Sequence, residues 1–339
     1  MLQNRSIEVL RAIVQEYIQT REPVGSKTLV DRHDFGVSSA TIRNDMALLE
    51  EEQLIVAPHT SSGRVPTDKG YRLFVDRLAE LKPLSSPERS AIETFLDSSS
   101  DLDEVLARAV KVLAKLTNQI AMIQYPALGS SKVRSVELVS VSENKVLLLL
   151  VLDNARIEQH QIDFTSGISG EFIAEVRAKL NTLLEGRSLT TVPELIQDFE
   201  NNFAPASRSA VSQLLDALVK TVDANRTEKL VVAGTGNLAR NEGDFSHSIT
   251  PLLDAIEEQV VLVRLLNEMQ SEHLGVGLRI GRENQTDGLR EATIMSAGYQ
   301  DQNQEVAKLG LIGPTRMDYS LNISAVQAVA RYLSKILQA

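Results

Sequence analysis

Residues 38–72 read SSATIRNDMALLEEEQLIVAPHTSSGRVPTDKGYR, and few folds accept the order of segments they impose. Ile42, Met46 and Leu49 recur at helical spacing, which predicts a helix from about Ser39 to Glu52 with Ser38 as its N-cap. Leu54 to Ala57 and Arg64 to Pro66 are short β-type runs joined by a His-Thr-Ser-Ser-Gly turn, hence a hairpin. Upstream, Ile7, Leu10, Ile13, Val14, Tyr17 and Ile18 stripe one face of a helix spanning Arg5 to Thr20. REPVGS ends that helix, because Pro23 cannot continue it and Gly25 relaxes the turn. A second helix, SKTLVDRH, takes Ser26 as its expected N-cap, and DFGVS turns tightly around Gly36.

Helix, helix, turn, helix, hairpin, helix is the order of a winged helix-turn-helix, in which the second helix of the pair enters the major groove led by its N-terminal residues. Here those residues are Ser39, Thr41, Arg43 and Asn44. Hydroxyls and the free N–H groups of a helix start bind phosphate, while Arg and Asn can each grip a base edge with two hydrogen bonds. The hairpin tip adds His59, Ser61, Ser62 and Arg64, small donors around one long cation, suited to a sugar-phosphate backbone or a minor groove. Lys27, Lys69 and Arg72 complete the expected contact set. The plain alternative is a capped helix beside an ordinary surface hairpin, with Arg43 paired to an acid one turn away. That suits either piece alone better than it suits the whole order.

The charge distribution agrees. The chain carries 35 Lys/Arg and 45 Asp/Glu, a formal net charge of -10, which argues against non-specific binding to nucleic acid. Residues 1–82 hold 11 of the cations and 12 of the acids, so nearly all the excess acidity lies beyond them. Within that segment the acids bunch at Glu50, Glu51 and Glu52, and Arg64, Lys69, Arg72 and Arg77 cluster after them.

At 339 residues the chain is long enough for two or three domains. It has no Cys, which removes disulfides and thiolate chemistry and suits a reducing compartment. The longest apolar block, VLLLLVL (Val146 to Leu152), fits a buried strand and is too short to span a bilayer. The polar N-terminus lacks a signal-peptide core, so the expected location is cytoplasmic, with no membrane partner.

LKPLSSPERS reads as a hinge, with Ser86 and Pro87 set as N-cap and first residue of a short helix to about Leu96. A strongly amphipathic helix with Leu102, Val105, Leu106, Ala109, Val112, Leu113 and Leu116 on one stripe leads into the strand IAMIQY. VRSVELVSV, KVLLLLVL and RIEQHQIDF, with SEN and DNA as turns, form an antiparallel meander, and helices follow. Two are striped, by Phe172, Ile173, Val176, Leu180, Leu183 and Leu184 and by Val211, Leu214, Leu215, Leu218, Val219 and Val222. After Asn225 come KLVVAG, VVLVRL, GVGLRIG, EATIMSAG and LGLIGP as strands, and a closing helix from Ser324 to Leu337. One strand before the meander and five after it make a six-stranded sheet flanked by helices. The expected fold is α+β, with a winged helix at residues 1–82 and a GAF-like α/β domain at 83–128 and 227–339. A meander/helix insert at 129–226 interrupts that domain.

Other constellations carry less. AGTGNLARNEGD (Ala233 to Asp244) follows a strand but is not G-x-G-x-x-G, since Gly234 and Gly236 are followed by Ala239. The five histidines, at 33, 59, 160, 247 and 273, lack metal-ligand spacing, although His247 lies near Asp244. No Ser-His-Asp set and no carboxylate pair stands out. The expectation is no enzyme, no metal and no cofactor.

EPVGSKTL (Glu22 to Leu29), SSATIRNDM (Ser38 to Met46), PHTSSGRVPTDKGYR (Pro58 to Arg72) and GPTRMDYS (Gly313 to Ser320) closely resemble the HrcA family of bacterial heat-inducible transcription repressors. The resemblance spans the chain. Gln53 stands where that family usually has Gly, and Ser62 where it usually has Ala. If position 53 requires positive φ, a non-Gly residue costs up to about 1 kcal/mol. The resemblance implies a homodimer, joined through the insert, on an inverted-repeat operator upstream of chaperone genes. It also implies a repressor that reaches its active fold with the GroE chaperonin. Dimerisation has separate support, since one winged helix covers few base pairs. A rival reading comes from GPTR, because effector domains of other repressors carry a similar turn; the chain is then a metabolite-responsive repressor. A third, a sugar-phosphate-processing enzyme fused to a regulator, rests only on GTGN.

Overall fold

The computed structural model describes residues 4–59, 63–78, 84–87, 89–90, 92, 102–126, 131–153, 156–226, 229–245, 249–272, 274–301 and 304–338. The chain is a mixed α/β protein that divides into two units, residues 1–125 with 229–339, and residues 126–228.

The first unit begins with helices α1 (Asn4–Thr20), α2 (Ser26–Arg32) and α3 (Ser39–Glu51). Strands β1 (Ile55–Val56) and β2 (Val65–Pro66) then pair antiparallel, and α4 (Asp68–Asp76) follows. Val24 and Arg64 exchange backbone hydrogen bonds at 2.9 Å, which adds a third one-residue strand to the hairpin. Val9, Leu10, Ile13, Leu29, Ile42 and Leu49 are all 1% exposed or less and form the centre of this module. The expected striping of α1 and α3 is therefore what buries them. Ser26 is not the N-cap of α2; Gly25 holds that position without a side-chain hydrogen bond, and Ser26 is the first helical residue.

The rest of the unit is a five-stranded antiparallel sheet in the order β7–β3–β10–β9–β8. Its strands are β3 (Ile120–Gln124), β7 (Leu230–Ala233), β8 (Gly277–Ile280), β9 (Ala292–Asp301) and β10 (Gln304–Pro314). Both faces are covered. Ala121, Ile123, Leu309 and Leu311 join the core that contains α5 (Leu102–Thr117), the C-terminal helix Tyr319–Leu337 and the N-terminal module. Ile120, Met122, Ile294 and Ile312 join a second core under the short helices Thr235–Arg240, Thr250–Glu257 and Gln259–Glu268. The expected sixth strand, VVLVRL, lies in the last of these helices. Leu262, Leu265 and Leu266 are buried at helical spacing, while Val260 is 80% exposed. Packing of one leucine stripe on the sheet outweighs the β-preference of three valines. Of the expected hinge, residues 84–87 and 89–90 are described: Leu84 and Ser85 lie outside regular structure, and Ser86 is already helical rather than the expected N-cap, with the Arg89 N–H donating to Ser85 O at 3.0 Å.

The second unit contains the meander β4 (Val133–Ser142), β5 (Lys145–Leu152) and β6 (Ile157–Asp163) in sequence order. Helices Gly170–Leu184 and Arg208–Arg226 contribute Ile173, Val176, Leu180, Leu214 and Leu218 to a core with Val136, Leu148 and Leu150. Asn181 closes the edge of β4, accepting from the Val136 N–H at 2.8 Å and donating to its carbonyl at 2.7 Å.

Candidate nucleic-acid interface

Helix α3 begins as its sequence requires. Ser38 has extended backbone, and its Oγ accepts from the Thr41 N–H at 3.3 Å and lies 3.1 Å from the Thr41 hydroxyl. Ser39, Arg43, Asn44, Ala47 and Leu48 are exposed, and Thr41 is half-buried. Asp45 sits between them in sequence but is only 2% exposed, with its carboxylate turned into the module. It takes Arg5 Nε at 2.7 Å and Ser6 Oγ at 3.0 Å, tying α1 to α3. Glu16, 7% exposed, holds Arg32 at 2.5 Å and His33 Nε2 at 3.2 Å. Two acids of the module are thus spent on internal ties. The exposed face of α3 consequently presents Arg43 and Asn44 with no carboxylate before Glu50.

The other end of α3 closes in a Schellman motif: Leu54 N–H donates to Leu49 O at 2.9 Å and Gln53 N–H to Glu50 O at 2.9 Å. Gln53 carries φ +59°, the left-handed conformation that glycine adopts without steric cost. Lys69 Nζ donates to Glu52 O at 2.8 Å, a cation placed on the negative end of the helix dipole. Arg64 reaches Glu50 from the hairpin, with Nε at 3.0 Å and Nη2 at 2.9 Å from one carboxylate oxygen. Gly63 lets the hairpin approach, since a Cβ there would stand 2.6 Å from the backbone of Pro23 and Val24. Lys27 and His59 are exposed. Ser61 and Ser62 lie outside the described residues.

Arg72, expected on the DNA side, is instead engaged elsewhere in the unit. Its Nε donates to Glu283 Oε1 at 2.8 Å, Nη1 to Glu272 at 3.0 Å and Nη2 to the Leu278 carbonyl at 2.6 Å; a second contact joins Nη2 to Glu283 Oε2. Pairing with Glu283 raises the guanidinium pKa further above its ordinary value. One turn earlier, Asp68 accepts the Arg282 N–H at 3.0 Å. Its burial lifts the carboxyl pKa, an effect the Arg282 hydrogen bond opposes. A Cβ at Gly281, φ +55°, would lie 2.2 Å from the Asp68 carboxylate, so only glycine fits there.

GPTRMDYS lies on the same junction. Arg316 grips Asp244 with Nε at 2.7 Å and Nη2 at 2.6 Å and donates to Ile18 O in α1; Arg21 reaches the same carboxylate at 3.0 Å. The ring of Tyr319 lies 5.7 Å from Tyr71 and 6.4 Å from Phe74. The turn that suggested an effector site is therefore occupied by contacts to the N-terminal module. Asn237 of the GTGN loop likewise points inward, donating to Ala114 O and Gln119 O, and Gly234 packs on the Gln119 carbonyl.

Of the junction residues, the sequence marks Arg316 through GPTR and Asp244 only as a neighbour of His247, and assigns no role to Asp68, Glu272 or Glu283. The surplus of acids beyond residue 82 offers partners to a cation leaving the module but names none. Among the described residues, no group of His, Cys, Asp and Glu could hold a metal ion, and no helix is long and apolar enough to cross a membrane.

The family described as HrcA protein C terminal domain matches residues 103–323. The chain is 53% identical over 338 residues to the heat-inducible transcription repressor HrcA of Clavibacter michiganensis subsp. michiganensis, covering 100% of this chain and 99% of that protein. It is 50% identical over 337 residues to the repressor of the same name from Streptomyces avermitilis, covering 99% of each. A crystal structure of a hypothetical protein aligns with a TM-score of 0.68 at 27% identity and covers 99% of both chains. The chain belongs to the HrcA family of heat-inducible transcription repressors.

Proposed function

We propose that this chain is a sequence-specific DNA-binding repressor of chaperone operons. It binds an inverted repeat as a dimer through a winged helix, α1 to α4, carried on a GAF-like domain. The observation that carries the reading is the face of α3. Arg43 and Asn44 are exposed on it while Asp45 is withdrawn to Arg5 and Ser6. A helix so arranged offers two bidentate base readers and a hydroxyl-lined N-terminus to phosphate. Arg64, Lys27, Ser39, Thr41, His59, Ser61 and Ser62 serve as backbone contacts.

Dimerisation through the insert is supported by the outer face of the meander. Leu147, Leu149 and Val151 of β5 are half-buried on that face, while Val139, Val141 and Ile157 beside them are 47%, 60% and 59% exposed. A strand apolar on both sides suits a sheet covered on both sides, and helices of the same unit cover one. The family resemblance adds the GroE chaperonin as the partner that maintains the active fold, and a cytoplasmic location.

A footprint of the full chain on the promoter of a chaperonin operon from its own genome tests the reading. Protection of two symmetric half-sites is expected. Absence of protection at every chaperone promoter of that genome overturns the proposed operator class. Adding chaperonin and ATP to freshly refolded chain is expected to raise the fraction that binds; an unchanged fraction removes the chaperonin from the proposal.

A further inference from the structure

An extended set of polar contacts lies outside the DNA contacts proposed above. It joins the N-terminal module to the core domain of the same unit, at two points. At one, Arg72 uses three nitrogens on Glu272, Glu283 and the Leu278 carbonyl, with Asp68 seated against Gly281 and the Arg282 N–H. At the other, Arg316 holds Asp244 and the Ile18 carbonyl, and Asp244 also takes Arg21. Asp244 is 4% and Arg316 12% exposed in their side chains, so this second pair is well shielded from screening by salt. Ile18 lies in the last turn of α1 and Arg21 just beyond it, whereas Asp68 and Arg72 belong to α4, so the two points grip the module at separate helices. Two separate grips remove the rotation that one would leave.

From this geometry we infer that Arg72 and Arg316 are specificity-positioning residues. They fix the winged helix on its own core domain and thereby set the half-site spacing that the dimer accepts. The inference rests on the proposed binding of an inverted repeat by a dimer. Whatever surface joins the two copies, the separation and relative rotation of their reading helices are defined only if each module is fixed to its core. Lengthening the spacer by two base pairs turns one half-site by about 70° around the DNA axis, given roughly 10–10.5 base pairs per turn. A locked module cannot follow that rotation, and an unlocked one can.

The test uses the full chain and an inverted repeat selected by the wild type from duplexes of random spacer length. Affinity is then measured for that repeat, for the same half-sites with the spacer changed by one, two and three base pairs, and for one half-site alone. Two variants are compared, Arg72→Ala and Glu283→Gln. Wild type is expected to lose about tenfold or more in affinity at two added base pairs, and each variant less than about threefold, with half-site binding unchanged. The Glu283→Gln arm separates this from a DNA contact by Arg72. Freeing a phosphate-binding cation raises affinity for every duplex alike and leaves spacer preference intact. Misfolding lowers the active fraction equally for all spacers, so the ratio between spacers reads positioning alone. Variants as strict as wild type, or a wild type indifferent to spacer length, overturn the inference while leaving the repressor reading in place. A wild type that selects no inverted repeat overturns that reading itself, and this inference with it.

Discussion

Arg64 and Glu50 face each other across the groove between hairpin and helix, with the guanidinium Nη2 2.9 Å from the carboxylate. The pair ties the hairpin to the C-terminal half of α3. Its members are 28% and 37% exposed, so the tie is accessible to competition by a phosphate. Replacing Arg64 with Ala should weaken binding to all duplexes about equally and reduce the salt slope by about one ion. Glu50→Gln should do the reverse, strengthening binding to operator and scrambled duplex alike. Titrations at several salt concentrations check both; an unchanged slope in both variants makes the wing a bystander.

Arg43 lies on the exposed face of α3, two residues from the withdrawn Asp45. As a base reader it contributes discrimination of about 1–3 kcal/mol, so Arg43→Ala should lose roughly 5- to 150-fold on operator and far less on a scrambled duplex. Equal loss on both duplexes would reduce Arg43 to a backbone contact.

Gln53 holds φ +59° at the residue after the cap of α3. Its side chain is exposed, so Gln53→Gly relieves left-handed strain with little packing lost. The variant should be more stable by about 1 kcal/mol in denaturant unfolding. A lower midpoint would show that the Gln53 side chain stabilises the motif by more than the strain it carries.

Gly63→Ala should act in the opposite sense. The new methyl would lie 2.6 Å from the Pro23 and Val24 backbone, beside the Val24–Arg64 bridge. Unable to shift a side chain out of the way, the hairpin must move, at a cost of about 1–3 kcal/mol. Unfolding measurements and affinity for any duplex should fall together.

Leu149 sits half-buried in the middle of the outer face of the meander, across from Glu137 and Gln159. Leu149→Glu should leave the fold intact and convert the proposed dimer to monomer in sedimentation, because a charge there cannot be covered by a second apolar sheet. A persistent dimer places the interface elsewhere.

Local chemistry explains why so much of the N-terminal module was readable in the chain. The Ser38 cap, the Pro23 stop and the stripe of Ile42, Met46 and Leu49 each depend on residues within a few positions. A continuous apolar run such as β5, bounded by the SEN and DNA turns, likewise marks its own strand. Helix Gln259–Glu268 marks where this fails. Val260, Val261 and Val263 favour a strand, and only the sheet beneath Leu262, Leu265 and Leu266 makes the helical phase the better burial. The partners of the cations in the expected contact set are illegible for a related reason. Arg43, Arg64, Lys69 and Arg72 are equivalent cations in the sequence, yet they end at solvent, at Glu50, at a helix carbonyl and at Glu283. Arg72 meets Glu283 across 211 positions, and Arg316 meets Ile18 across 298. Pairing over such distances follows from how the sheet, α1 and α4 come together. A charge in the sequence states that a partner is needed, and the packed backbone decides which one it reaches.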